Sequence, residues 1–370
     1  MRALRTGLTL SAVLLGQMAW AGVLPEDRAD LLYHRYDGGG VTIDGPSLLV
    51  RKSIGENFSG VVNYYVDNVS SASIDVVTQG SPYSEERTEI SLAGDYLYED
   101  TTFTLGYTDS DESDYQASTV AFGVSQDFFG NMSTLSLVFG RANDEVSRNG
   151  DPDFERDIDR WIYRLNFTQV FTPNFIMGAS WETISDEGYL NNPYRSFRYV
   201  DPLAADGFSW AEERYPNTRT SNAAAIRGRY FLPYGAAITG EARYFSDDWD
   251  ISAYNLELGY VHSLGDAWTL EVAYRYYDQD GADFYSDLFA RIDEFNFQGR
   301  DKELSTFSNY SVRLGATYTF LEGRWLFLNK GTANLFYQYF DFSYDDFRDA
   351  RVTGAPAGQE PLYSMSADVW

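Results

Sequence analysis

The stretch NYSVRLGATYTF, residues 309–320, carries the pattern that decides the fold. Apolar and aromatic residues fill its even positions from Tyr310 to Phe320, whereas small, polar or charged residues such as Arg313 fill the odd ones. A period of two places successive side chains on opposite faces of an extended strand. The same alternation recurs in AYNLELGYV (253–261) and TLEVAYRYYDQ (269–279), so the chain is built from strands with one apolar and one polar face.

The composition is acidic and aromatic at once. The 370 residues include 28 Lys and Arg against 55 Asp and Glu, a formal charge of −27, and Phe, Tyr and Trp make up 17%. This charge argues against a nucleic-acid binder, because neutralising phosphates needs Lys and Arg. The absence of cysteine excludes disulfides, thiolate zinc sites, iron–sulfur clusters and covalent c-type haem. A mean hydropathy of −0.37 argues against a helical membrane protein.

The first 21 residues, MRALRTGLTLSAVLLGQMAWA, have the parts of a secretory signal peptide. Arg2 and Arg5 form its positive region, residues 8–18 its apolar run, and Ala-Trp-Ala its cleavage signal. We therefore expect cleavage after Ala21, which leaves residues 22–370 as the mature domain. A buried first helix is the alternative.

Two architectures suit such strands. A soluble sandwich turns the apolar faces inward, whereas a membrane barrel turns them toward lipid and lines its lumen with the polar faces. Strands of about 10–14 residues are near the ~9–11 that a tilted strand needs to cross a bilayer, and aromatic residues recur at strand ends. These features favour an all-β fold, a transmembrane antiparallel up-and-down β-barrel of about 16 strands, an even number as in bacterial barrels. A count of about 14 stays open if residues 29–45 lie outside the sheet and another weak strand fails.

Short and long connections alternate along the chain, which predicts short periplasmic turns and long acidic outer loops. The predicted long connections are 68–86, 110–114, 144–156, 187–217, 247–250, 280–302 and 346–360. The last three strands are predicted at 303–320, 331–345 and 361–370, with a longer apolar periplasmic connection between the first two.

Three longer stretches carry a resemblance to a known family. They are LPEDRADLLYHRYDGGGVTIDGPS (24–47), VNYYVDNVSSASIDVVTQGSPYSEERTE (62–89) and DEGYLNNPYR (186–195). Through them the chain resembles an uncharacterised proteobacterial family of outer-membrane barrels, described as a domain of unknown function. The resemblance implies no reaction and no catalytic residue. Its members look to be encoded near small lipoproteins, thioredoxin-like proteins and an FAD:protein FMN transferase, which implies a link to a periplasmic redox or flavinylation system.

The end of the chain departs from the usual last strand of such barrels. Trp370 is aromatic, but the apolar residues Tyr363, Met365, Ala367 and Val369 are out of phase with it. We therefore expect the native chain to extend beyond Trp370.

Charged residues recur on the polar faces that a barrel would turn toward its lumen. A water-filled pore would use them to select ions, since rings of charge discriminate between permeant ions. A closed barrel would use the same residues as hydrogen-bonded pairs in a polar plug, and both readings stay open. The lumen candidates are Arg160, Arg164, Arg227, Arg229, Glu241, Arg243, Glu257, Glu271, Arg275 and Arg313.

The connection 187–217 is the longest and is rich in aromatic residues. Loops of this length are usually functional or disordered, and the aromatic content argues against disorder. We predict a constriction in the lumen or a surface lid, with an external cap packed on neighbouring loops as the alternative. A second lid candidate is the connection 68–86. The lid candidates in 187–217 are Tyr189, Asn192, Tyr194, Arg195, Arg198 and Trp210.

The sequence offers little for a metal centre or an enzyme. The alternating acids of residues 151–159 lack the glycine and glutamate of a calcium loop, so they, like the clusters at 109–114 and 247–250, are interpreted as solvated surface. With two histidines, no nucleophile motif and no phosphate-binding loop, neither an enzyme nor a cofactor is predicted.

The resulting hypothesis is a Gram-negative outer-membrane β-barrel that acts as a porin-like channel or transporter for an unidentified solute. The alternative is a closed scaffold barrel that presents its loops to periplasmic or surface partners. The expected partners are outer-membrane lipid and lipopolysaccharide, through divalent cations, the barrel-assembly machinery and periplasmic redox proteins.

Overall fold

The alternating strands form a sheet that closes on itself. In the computed structural model, which describes residues 22–71, 83–325, 328–352 and 354–370, sixteen antiparallel strands form one closed barrel. This confirms the predicted fold class and the strand count of 16. The predicted signal peptide and the tip of the 68–86 connection lie outside the described residues.

The bounds of the strands agree closely with the alternation in the sequence. The barrel strands are β1 Arg28–Gly38, β2 Val41–Ile54, β3 Phe58–Ser71, β4 Tyr83–Tyr98, β5 Thr101–Asp111, β6 Tyr115–Phe128, β7 Ser133–Arg148, β8 Asp151–Thr172, β9 Phe175–Gly188, β12 Thr218–Leu232, β13 Ala236–Asp247, β14 Ser252–Leu264, β15 Trp268–Gln279, β16 Phe307–Trp325, β17 Leu328–Arg348 and β18 Leu362–Val369. Between β9 and β12, β10 Ser196–Val200 and β11 Phe208–Glu212 pair as a separate hairpin. In the described parts of the chain, no helix is long and apolar enough to cross a membrane.

The outer face of the barrel is apolar. Leu258 and Leu314, at even positions of β14 and β16, are 64% and 50% exposed. Their odd-numbered neighbours Glu257 and Arg313 point into the barrel. Aromatic pairs border this belt near the short turns, including Trp268 with Tyr318, whose ring centroids are 4.7 Å apart. A closed barrel satisfies its backbone hydrogen bonds internally, as hydrocarbon requires, so this is a membrane-spanning fold.

The barrel has short turns at one end and longer connections at the other, as predicted. One of the predicted long connections is not a loop. The loop predicted over 144–156 is wrong, because β7 and β8 continue as a protruding hairpin closed by Asn149 and Gly150. Gly150 has a φ of +88°, a left-handed conformation that glycine adopts without strain. The acids of residues 151–159 therefore lie on a strand and not in a loop.

Two boundaries near the end of the chain also differ from prediction. Strand β16 begins at Phe307 rather than at residue 303, because Lys302–Leu304 forms a 3₁₀ helix whose first turn is capped by the Asp301 side chain. The predicted apolar connection near 320–331 is wrong, because β16 and β17 extend as a bulged ladder as far as Trp325 and Leu328.

The barrel closes where β1 meets β18. Tyr36 pairs with Val369, and the backbone of Arg35 exchanges hydrogen bonds of 2.7 and 2.9 Å with Trp370. Tyr363 on β18 turns inward and packs with Phe347 rather than facing lipid. The apolar residues of β18 are out of phase with Trp370 because their side chains line the inside of the barrel mouth.

Candidate functional site

A row of charged side chains crosses the inner wall. Arg227, Glu241, Glu257 and Arg275 lie directly opposite one another on four successive strands, β12 to β15. All four occupy odd positions of their strands, so their side chains point to the same, inner face of the sheet. Arg227 attracts Glu241 and Arg275 attracts Glu257, whereas the like charges of Glu241 and Glu257 repel where they stand opposite each other, so the row depends on the arginines at its two ends.

Ion pairs connect this row to the next strands. Arg313 on β16 reaches across two strands, with Nη2 3.0 Å from Glu257 Oε1 and Nε 2.9 Å from Glu271 Oε1. Arg227 Nε lies 2.5 Å from Glu241 Oε2. These residues and Arg229 line a cavity of about 320 Å³.

The charges nearer the outer mouth are more enclosed. Arg160 Nε lies 2.5 Å from Asp186 Oδ1, and Arg164 Nε lies 2.5 Å from Glu182 Oε2. Arg243 Nη2 approaches the second oxygen of Glu182 at 3.6 Å. The Arg160 and Arg164 side chains are 12% and 15% exposed, against 53% for Arg227 and 41% for Arg243, so these two arginines have the least access to water.

Three connections converge over the outer mouth, and we call them the cap: residues 189–217 between β9 and β12, 280–306 between β15 and β16, and the described part of 349–361 between β17 and β18. Strands β9 and β18 are seven positions apart in a ring of 16, so they stand on nearly opposite walls. Contacts between 189–217 and 349–361 must therefore cross the opening.

Arg198 on β10 joins all three parts of the cap. Its Nη1 lies 2.6 Å from Glu360 Oε1, its Nε donates to the Asp287 carbonyl at 2.8 Å, and its Nη2 also contacts the Asp287 carboxylate. The Arg198 side chain is 0% exposed. A buried, bidentate arginine of this kind fixes the geometry of its partners.

Backbone pairing and ring contacts reinforce that junction. Val200 N donates to Phe289 O at 2.8 Å, and Phe289 N donates to Arg198 O at 3.0 Å. The rings of Phe197 and Phe289 meet edge to face with centroids 5.1 Å apart. The hairpin of β10 and β11 is thus docked onto 280–306 along its edge.

A second arginine extends the network toward the barrel wall. Arg300 Nη2 lies 2.8 Å from Asp287 Oδ1, and its guanidinium lies 4.5 Å from the ring centroid of Phe347 on β17. The ring of Trp210, a predicted lid residue, also lies near Arg300, with its centroid 5.6 Å from the guanidinium carbon. Cation–π contacts gain strength where water is excluded, as it is here.

An apolar cluster joins the cap to the connection between β13 and β14, and one buried acid lies beside it. The cluster contains Tyr215, Trp249, Ile251, Ala282, Phe284 and Leu304. Glu213 accepts hydrogen bonds from the Tyr215 hydroxyl and, at 2.6 Å, from Arg300 N. Burial, together with the negative charge of Asp301, raises the pKa of Glu213 to about 7, against the opposing effect of Arg195.

The remaining lid candidates also lie at contacts between connections. Arg195 Nη1 is 2.8 Å from Asp301 Oδ1. Tyr194 donates through its hydroxyl to Asp114 Oδ2 at 2.7 Å, and Asn192 Oδ1 accepts from Tyr194 N at 3.0 Å. The ring of Tyr189 meets that of Phe154 on β8 with centroids 5.3 Å apart. All six lid candidates therefore contact other residues of the cap or of neighbouring connections and strands.

Sequence reasoning missed the partners of these residues. Asp287, Arg300 and Glu360 lie in the connections 280–302 and 346–360, which are predicted only to be long acidic outer loops. Asp287 and Glu360 are 89 and 162 residues from Arg198 along the chain, so no local spacing could reveal the contact. The aromatic content of 187–217 was the available signal that this segment packs.

Comparison with solved structures gives β-barrel proteins at low identity. The chain is similar to the siderophore receptor PirA from Pseudomonas aeruginosa, with 10% identity and a TM-score of 0.45 over 87% of this chain and 60% of that one. It is also similar to a bacterial polysaccharide outer membrane secretin, with 7% identity and a TM-score of 0.49 over 93% and 98% of the two chains. For an anion-selective porin from Comamonas acidovorans, the values are 9% identity and 0.41 over 78% and 99%.

The chain thus spans less than two thirds of the length of that siderophore receptor. No curated protein sequence matches it. One family model, described as "Protein of unknown function (DUF3570)", matches residues 65–163 and 155–329. These two matches cover most of the barrel, from β3 to the end of β16. The chain therefore belongs to the DUF3570 family of proteins of unknown function.

Proposed function

We propose that the protein is an outer-membrane channel for small polar solutes and that the cap gates its outer mouth. The observation that carries the proposal is the row of charges on the inner wall from Arg227 to Arg275, with Arg227 half exposed to water. A lumen that accommodates charged side chains in water also accommodates hydrated solutes.

The size of the barrel supports a hydrated lumen. Barrels of about 16 strands leave an aqueous channel unless something fills it. The charges around the row from Arg227 to Arg275 are of both signs, since Arg313 binds both Glu257 and Glu271. A mixed lining favours solutes that are polar or zwitterionic over a strong preference for one sign of charge.

The cap supports gating because it crosses the opening and because its three connections meet at one buried arginine. Arg198 links three connections through Asp287 and Glu360. An element packed through a buried junction of this kind is expected to have two states, docked and released, rather than a continuous range. Release of the junction would open the outer mouth.

The proposal is tested by single-channel conductance of the refolded barrel in planar bilayers. Deletion of residues 190–213 removes the segment that crosses the mouth and is expected to raise conductance. The matched control deletes residues 202–206, the tip of the hairpin between β10 and β11, where Leu203 is 97% exposed, and is expected to conduct like the intact chain. Heat-modifiable migration establishes that each variant is folded.

Unchanged conductance after the longer deletion would refute gating by the cap. A folded barrel without conductance in all three forms would refute the channel. That result would favour the second candidate, a closed scaffold barrel that presents its loops to partners. The packed cap is the observation that favours the scaffold, because a rigid loop surface suits protein recognition.

A further inference from the structure

Three carboxylates converge on the inner side of the mouth, away from the centre of the cap. Glu85 lies near the start of β4, and Glu112 and Asp114 lie in the connection from β5 to β6. One oxygen from each lies within 4.8 Å of the others. Glu112 and Asp114 are buried, so water does not fully screen their repulsion.

The neighbouring positive charge is insufficient to balance this group. Arg87 lies 3.6 Å from Glu112, but it also lies 2.7 Å from Glu89 and 3.5 Å from Asp67. Three carboxylates therefore share the Arg87 guanidinium, and Glu85 and Asp114 stand beside Glu112 with no ion pair to Arg87. Burying unpaired carboxylates is costly, which favours a further cation at this place.

The Asp114 carboxylate supplies an independent sign of a missing ligand. The residue is 3% exposed, and its Oδ2 accepts a hydrogen bond from the Tyr194 hydroxyl at 2.7 Å. Its Oδ1 is buried without a hydrogen-bond partner in the described part of the chain. Buried polar atoms are nearly always satisfied, so an unpartnered oxygen on a carboxylate that belongs to a cluster of three indicates a ligand that is a cation.

We propose that Glu85, Glu112 and Asp114 bind a divalent cation at the outer mouth of the barrel. An all-oxygen, carboxylate-rich set suits a hard cation, and Ca²⁺ accepts irregular geometry more readily than Mg²⁺ does. The Ser113 hydroxyl contacts Glu85 and so helps to hold the set together.

The ion would also stabilise the edge of the cap. Tyr194 of the cap binds Asp114, and its hydroxyl accepts from Asn149 N at 2.7 Å in the hairpin of β7 and β8. With the cation bound, Asp114 is held in place and Tyr194 keeps its acceptor. This consequence for the cap rests on the proposed gated channel, whereas the metal site itself does not.

The test is binding of Tb³⁺, which replaces Ca²⁺ and luminesces when a nearby tyrosine is excited. The full barrel, refolded in detergent, is titrated with Tb³⁺, then with Ca²⁺ in competition, and Ca²⁺ binding is measured alone by calorimetry. We expect saturable tyrosine-sensitised luminescence that Ca²⁺ displaces. Asp114→Asn should weaken Ca²⁺ binding by about tenfold or more.

The matched control is Asp111→Asn, an acid at the end of β5 whose carboxylate already accepts from Gln116 Nε2 at 3.0 Å. It should bind Ca²⁺ like the unsubstituted chain. Equal binding by Asp114→Asn and the unsubstituted chain, equal losses in both variants, or no Ca²⁺ binding by the folded chain would each overturn the proposal. The readout does not involve conductance, so failure of the metal site and failure of the channel are distinguishable.

Discussion

Replacement of Arg198 by methionine should release the cap without unfolding the barrel. Methionine fills much of the same volume but leaves the buried Glu360 carboxylate without its guanidinium partner. Removing one member of a buried ion pair costs ~3–5 kcal/mol. Asp287 keeps Arg300 at 2.8 Å, and Glu360 keeps a hydrogen bond from Gly358 N at 2.9 Å, so the lower end applies. A loss of ~3 kcal/mol raises the population of the released cap about 100-fold.

Hydrogen exchange measures this population at the amides that dock β10. Val200 N and Phe289 N donate across the junction, so in Arg198→Met their exchange should accelerate about 100-fold, while amides in the barrel strands stay unchanged. The control is Arg291→Met, because Arg291 and Asp293 are 70% and 79% exposed and lie 3.7 Å apart. Exposed pairs contribute little, so this variant should exchange normally.

Unaltered exchange in Arg198→Met, or the same acceleration in Arg291→Met, would refute the assigned role of the buried junction. Adding Glu360→Gln to Arg198→Met removes the uncompensated carboxylate. Part of the lost protection should therefore return in the double variant.

Three further predictions concern pH, selectivity and folding. Because burial raises the pKa of Glu213 to about 7 from 4.5, the closed cap gains stability that is complete below about pH 4.5 and is lost as the pH rises through about 7; hydrogen exchange in the cap should follow this course, and Glu213→Gln should abolish it. Arg313→Gln leaves two lumen carboxylates unpaired, so the reversal potential of the conducting barrel should shift toward cation selectivity, and an unshifted potential would contradict a hydrated lumen at this row. A Cβ on Gly45 would stand 1.9 Å from a backbone oxygen of β3, so Gly45→Val should reduce the heat-modifiable folded fraction, whereas Gly60→Ala, with nothing within 4 Å, should fold normally.

The strands could be predicted well because their signal is local. Each barrel strand alternates residues within itself, so Leu314 faces outward and Arg313 inward whatever lies beyond the neighbouring strand. Predicted strand boundaries were wrong in several places. The Asn149-Gly150 turn was a hairpin signal inside a predicted loop, and the bulged end of β16 continued past the predicted boundary at residue 320.

The site was predictable only in part for the same reason. The charged lumen positions follow from the alternation of inward and outward side chains along each strand. The aromatic content of 187–217 indicated a packed segment. The partners of that segment did not follow, since Arg198 meets Asp287 and Glu360 only because closure of the ring brings their connections together over the mouth. Similarly, Glu85 joins Glu112 and Asp114 only because β4 pairs with β5.

The sequence by itself determined the alternation of faces, the strand number and the apolar belt, because these depend on residues one or two positions apart. The tertiary structure alone decided that the outer mouth is capped, which carboxylates converge without enough positive charge, and that Tyr363 turns inward on β18. Those features depend on contacts between residues as far as 162 positions apart. Such contacts become favourable only after sixteen strands have closed into a ring and fixed which connections face one another.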